Sequence, residues 1–257
     1  MWVFPLAAAI VAVAFAGLVG KEFAARPRPY LAAWAVALLM FAAASFAAFL
    51  GILNGWTPSE FRVYWLLGAV LNVPYLALGE LLLLFRERRV QVGLFLVVLF
   101  GTAFALNVVR TAAVSNTALA ARDLPLGKDV FAPGGVAPVG IGPVGIAPGG
   151  GFLPTPSSDL AYRLAQYYSY PAYVILVAGA AWSAWRMRKA PHLRNRFLGT
   201  LGIAVGATIV AIGSGVGAGL DVVPVFSVCL ALGIAVMFWG FLRASRPAPA
   251  RDAPAAT

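Results

Sequence analysis

One carboxylate stands inside an otherwise apolar stretch of the sequence: Glu80, in Leu78-Gly79-Glu80-Leu81-Leu82-Leu83-Leu84-Phe85-Arg86. An ionisable group at membrane depth is costly there and marks ion pathways, proton relays and ligand sites. Two readings are open to it. Glu80 is either a proton-titrating or cation-binding carboxylate that faces a polar cavity, or a side chain that reaches toward the inner interface, protonated or paired with a basic loop residue. Arg86 follows six residues later, about 9 Å along a helix axis at about 1.5 Å per residue, which sets Glu80 in the inner third of the bilayer. Asn72 and Pro74 lie near the middle of the same segment. A mid-helix proline removes a hydrogen bond and kinks the helix, and the freed backbone groups need partners in lipid. Asn72 can supply one or bond a neighbouring helix, and an amide beside a kink also suits a binding cavity. Asn107 and Arg110, at the outer end of the next apolar run, either rim an outward pocket with Tyr167, Tyr168 and Tyr170 or anchor at the interface.

Other chemistries fail on residue counts. Cys229 is the single cysteine and His192 the single histidine, so no internal disulfide forms, and the zinc, Rieske, blue-copper and bis-histidine haem ligand sets are missing. Cys229 reads as a small buried hydrophobe, and His192 as a solvated residue of a short basic loop. The three lysines, Lys21, Lys128 and Lys189, lie outside the apolar runs, which removes a retinal Schiff base. There is no Ser/His pair or aspartate pair at membrane depth and no phosphate-binding glycine motif beside a lysine and a hydroxyl residue. The expectation is a protein without catalytic activity, cofactor or metal.

The elements that must position these groups are membrane helices. Of 257 residues, 61% are hydrophobic and 11% charged, with a mean hydropathy of +0.87, against roughly a quarter charged in soluble domains. A span needs about 20 mostly apolar residues, and seven stretches qualify: 2–20, 30–52, 62–85, 91–109, 168–186, 197–217 and 222–242. Lysine and arginine concentrate in cytoplasmic loops. With the first helix starting outside, the inner segments hold Lys21, Arg26 and Arg28; Arg86, Arg88 and Arg89; Arg186, Arg188, Lys189, Arg194 and Arg196; and Arg243, Arg246 and Arg251. The outer segments hold Arg62, Arg110, Arg122, Lys128 and Arg163, matched by Glu60, Asp123, Asp129, Asp159 and Asp221. The expected fold is all-α and polytopic: seven transmembrane helices, N-terminus outside, C-terminus cytoplasmic, in a bacterial inner membrane. The first run has no positive charge before it and is read as a retained span rather than a signal peptide. The net charge of +10 then serves topology and contact with the lipid bilayer rather than nucleic acid.

Residues 1–246 form the transmembrane domain, interrupted by a Gly/Pro-rich outer loop over 110–167 that is read as disordered across about 130–156. A short interfacial helix over 159–168 precedes the fifth span, and 247–257 is a disordered tail. In the sixth span Gly199, Gly202, Gly206, Gly213 and Gly217 share one face, with two GxxxG spacings, and small residues in line let helix backbones approach. That face reads as intramolecular packing ahead of homodimer formation.

Spans one to three and five to seven share orientation across an inverting fourth, and their first helices open on Phe4-Pro5 and Tyr170-Pro171, the arrangement of parallel-repeat transporters. Phe61-Arg62-Val63-Tyr64-Trp65-Leu66-Leu67-Gly68-Ala69 with Leu76-Ala77-Leu78-Gly79, the loop start Leu124-Pro125-Leu126-Gly127, and Ala235-Val236-Met237-Phe238-Trp239-Gly240-Phe241-Leu242 resemble uncharacterised seven-span bacterial membrane proteins and, more distantly, the seven-helix sensor regions of some histidine kinases. Those proteins carry a small polar residue after the Leu-Gly, where this chain has Glu80. The expected function is a non-catalytic membrane sensor or partner-binding module whose outer pocket lies under the 110–167 loop and whose signalling needs a separate cytoplasmic partner. The alternative is a small-solute or proton-coupled transporter that uses Glu80 and Asn72.

Overall fold

Prolines and short polar turns delimit the helices. The computed structural model describes residues 2–120, 124–131, 156–187, 194–220 and 223–245. In chain order these form α1 (Val3–Ala25), α2 (Pro29–Asn54), α3 (Pro58–Tyr64), a π-helical turn (Trp65–Leu71), α4 (Asn72–Leu84), α5 (Arg88–Thr111), the short α6 (Asn116–Leu119) and α7 (Gly127–Phe131), then α8 (Pro156–Met187), α9 (Arg194–Leu220) and α10 (Val223–Ala244). No strand occurs among the described residues. Pro29 and Pro58 open α2 and α3 at positions whose N–H has no helical partner. Thr57 and Glu60 cap α3 reciprocally, the Glu60 backbone donating to the Thr57 hydroxyl and the Thr57 backbone to the Glu60 carboxylate. Gly55, at φ +93°, ends α2 in a conformation that L side chains avoid.

Six helices are long and apolar enough to cross a membrane: Val3–Ala25, Pro29–Asn54, Pro58–Leu84, Arg88–Thr111, Phe197–Gly215 and Pro224–Ala244. The seventh stretch, 168–186, belongs to α8, which is not among them. Tyrosine, serine and tryptophan lower its hydropathy, and tyrosine and serine hydroxyls are used: Tyr168 donates to the Gly101 carbonyl, Ser169 to that of Ala69, and Tyr173 bonds Thr208. One helix is thereby tied to α5, to the π turn and to α9. The interfacial helix expected over 159–168 is instead the first part of this single 32-residue helix.

The segment Pro58–Leu84 carries the distortion that Pro74 implies. The π turn precedes it, and such turns recur at functional sites. The passage from π to α register leaves a carbonyl over, and Pro74 offers no N–H. Ser169 donates to Ala69 O at 2.7 Å, supplying from α8 a partner that the distorted helix lacks.

The described residues of the segment 110–167 are more structured than their composition suggests. Ser115 caps α6, Ser115 N donates to Val130 O, and Phe131 is fully buried between Phe61 and Trp65, at 5.5 Å from each ring centroid. Apolar burial of Leu119, Leu124, Val130 and Phe131 overrides the turn-forming propensity of the surrounding residues. The remaining 132–155 and the tail read as disordered lie outside the described residues, as does His192.

Candidate functional site

α9 and α10 pack through glycine on both sides. A Cβ on Gly206 would lie 2.5 Å from Gly233 O, one on Gly199 would lie 2.5 Å from Gly240 O, and one on Gly240 would lie 2.6 Å from Gly199 O. Gly202 faces Gly240 and Trp239, and Gly213 faces Cys229. The small-residue face of α9 is thus turned to α10 within the chain. Gly217 lies on α9, with surroundings outside the described residues. The seam sets α10 against α1, where Phe15 meets Phe238 and Phe241 at 5.4 and 5.1 Å.

Between this pair and the α2/α4/α8 group lies a cavity of about 1090 Å³. Its wall is apolar, including Phe15, Leu38, Leu76, Leu176, Met237 and Phe241, and Glu80 lines it. Its rim comes from the end of α1, the start of α2, the end of α8 and the start of α9: Glu22, Arg26, Arg28, Arg186, Asn195 and Thr200. Every one of these belongs to a segment whose basic residues mark it as inner by the charge rule.

Two glycines make room for the groups at the deep end. Gly179 on α8 faces Glu80, where a Cβ would stand 2.5 Å from Cγ and 2.8 Å from Oε1. Gly79 on α4 faces Trp34, whose ring occupies the place of a Cβ. Trp34 in turn donates from Nε1 to Leu76 O at 3.2 Å and meets Tyr30 edge-on at 5.3 Å. Glu80 is 6% exposed, and its Oε1 is buried without a hydrogen-bond partner. Among the described residues no cation pairs with it; the ion pair Arg163–Asp159 joins two residues one turn apart on α8. A buried carboxylate without a partner is expensive. The aromatic wall and the carboxylate together offer what a cation's hydrogen-bond donors and charge require.

The other sequence candidates lie elsewhere. Asn72 is 6% exposed, with Oδ1 unpartnered at the junction of the π turn and α4, and it does not line the cavity. Asn107 and Arg110 are exposed on α5, Tyr167 and Tyr170 are exposed on α8, and Tyr168 is bonded to Gly101. These residues do not converge on an outward pocket among the described residues. Trp56, Phe61, Trp65, Phe131 and Tyr162 form a ring cluster that the described part of the 110–167 segment joins through Phe131 and Tyr162. Trp34, Arg26, Arg28 and Arg186 are site residues that sequence reasoning missed as such. The arginines register in sequence only as topology signals, and Trp34 registers not at all, because its role depends on α2 crossing α4 at Gly79.

Comparison of the chain with protein-family models, curated proteins and solved structures finds no match.

Proposed function

We propose that the chain is a seven-span protein of the bacterial cytoplasmic membrane that binds a small solute in an inward-facing cavity and carries it across, with Glu80 as the polar end of the site. One observation carries this reading: a buried, unpartnered carboxylate lines a chamber of about 1090 Å³ whose rim is formed by the basic inner segments. A helix bundle built only for packing fills such a space, because its cohesion in lipid comes from close van der Waals contact. α8 serves as the seventh span, since it contributes both Ala161 to the outer ring cluster and Arg186 to the cavity rim. The lysine and arginine distribution then gives an outer N-terminus and a cytoplasmic C-terminus. The sensor or partner-binding reading draws on an outer pocket, and packed aromatic rings stand in its place among the described residues.

The test is uptake into proteoliposomes of a panel of tritiated cationic, anionic and zwitterionic solutes, comparing the wild type with Glu80→Gln. Protein-dependent uptake that the variant loses supports transport. Uptake of none, or equal uptake by both proteins, removes it.

A further inference from the structure

The cavity is electrically two-ended. Its deep end holds Glu80 against Gly179, with the Trp34 and Tyr30 rings alongside. Its rim holds three guanidinium groups, Arg26, Arg28 and Arg186, against one carboxylate, Glu22. Between the ends the wall is aliphatic and aromatic. Arg186 lies seven residues beyond Gly179 on α8, which puts the rim about 10 Å from the carboxylate along the axis at about 1.5 Å per residue.

A simple cation would satisfy Glu80 but has to pass a net-positive rim. A simple anion would suit the rim but leaves Glu80 unpaired. We infer, building on the cavity reading above, that the ligand is a zwitterionic amphiphile: an ammonium at Glu80, an apolar middle along the wall, and a carboxylate or phosphate among the rim arginines. Each polar end is then paired by charge-assisted hydrogen bonds in a place where the protein by itself leaves charge of one sign in excess. Planar guanidinium groups suit either oxyanion.

The experiment uses the full chain in lipid nanodiscs and tritiated 8-aminooctanoate, whose extended length matches the separation of the two poles. Unlabelled octylamine and octanoate carry the same chain with one pole each. The expected result is that 8-aminooctanoate displaces its own label at a concentration about tenfold below either competitor, the gain of one charge-assisted contact. Glu80→Gln weakens 8-aminooctanoate and octylamine alike by about tenfold, and the Arg26→Gln, Arg186→Gln double variant weakens 8-aminooctanoate without weakening octylamine. A readout on the wild type alone is chain length: 4-aminobutanoate is too short to bridge the poles and competes more weakly than 8-aminooctanoate. Equal competition by octylamine and 8-aminooctanoate, or by the four- and eight-carbon amino acids, overturns the two-ended ligand and leaves the cavity reading intact. Binding of none of these probes overturns the cavity reading with it.

Discussion

The two ends of the molecule spend similar residues on opposite ends of the packing scale. At the outer end Trp56, Phe61, Trp65, Phe131 and Tyr162 stack ring on ring, Trp65 donates to Ala161 O across to α8, and Arg62 donates to Ala112 O. At the inner end Phe15, Trp34, Met237 and Phe241 line a chamber. The cause is a difference in what the loops supply. The outer segment after α5 folds Val130 and Phe131 back between the helices, whereas the inner turns at Arg26 and Arg28 are short and charged and offer nothing apolar to insert. A bundle closed at one end and hollow at the other follows. The deep carboxylate sits at the boundary between the two regimes, where the Glu80 side chain takes the place that a Cβ at 179 would occupy.

The largest effect that separates the two ends is expected from the outer cluster. Phe131→Ala removes a fully buried ring and should destabilise the protein by about 3–5 kcal/mol, read as a drop in thermal unfolding temperature in detergent, with ligand affinity at the inner cavity unaltered once the protein is folded. Equal stability would mean that the returning segment does not close the bundle. Next comes the glycine seam. Gly206→Leu drives a side chain toward Gly233 O and Met237, an overpacking cost of about 1–3 kcal/mol or more, and by parting α9 from α10 it should lower solute binding as well as stability. Gly179→Ala comes third. It pushes Glu80 from its seat, so binding to the cavity should fall by an order of magnitude or so while stability changes by about 1 kcal/mol; unchanged binding would show that Glu80 has room elsewhere. The smallest effect is Ser169→Ala, which removes one interhelical hydrogen bond to the π turn and should cost about 0.6 kcal/mol, the usual worth of such bonds in membrane proteins.

Much of this architecture is written in the sequence, because burial in lipid demands long apolar runs and charge fixes their ends. Helix content and six helices long and apolar enough to cross a membrane come from that single requirement. α8 is harder to read. Its Tyr168, Ser169 and Tyr173 look polar in a hydropathy average, yet each spends its hydroxyl on a neighbouring helix, a fact that exists only in three dimensions. Glycine and proline likewise suggest an irregular stretch after α5, and a few apolar residues between them suffice to seat Phe131. Glu80 is legible as a singular residue, but its surroundings are not. Gly179 lies about a hundred residues downstream and Trp34 about fifty upstream, and no spacing rule links such distant positions. Asn72 and Glu80 share α4 and differ in environment, since eight residues at about 100° each set them about 80° apart around the helix and about 12 Å apart along its axis, and the chamber is lined by the second alone.

The central claim is that Glu80 is reached by water from the inner face and sealed from the outer. On a Cys229→Ser background, Ala180→Cys places a thiol on the cavity wall and Val109→Cys places one in the outer cluster. Both are then challenged with a membrane-impermeant maleimide in vesicles of each orientation. The account predicts prompt labelling of Cys at 180 from the cytoplasmic side, far slower labelling from the outside, and protection at 109 from both. Prompt labelling at 180 from the outer side, or none from either, would contradict it.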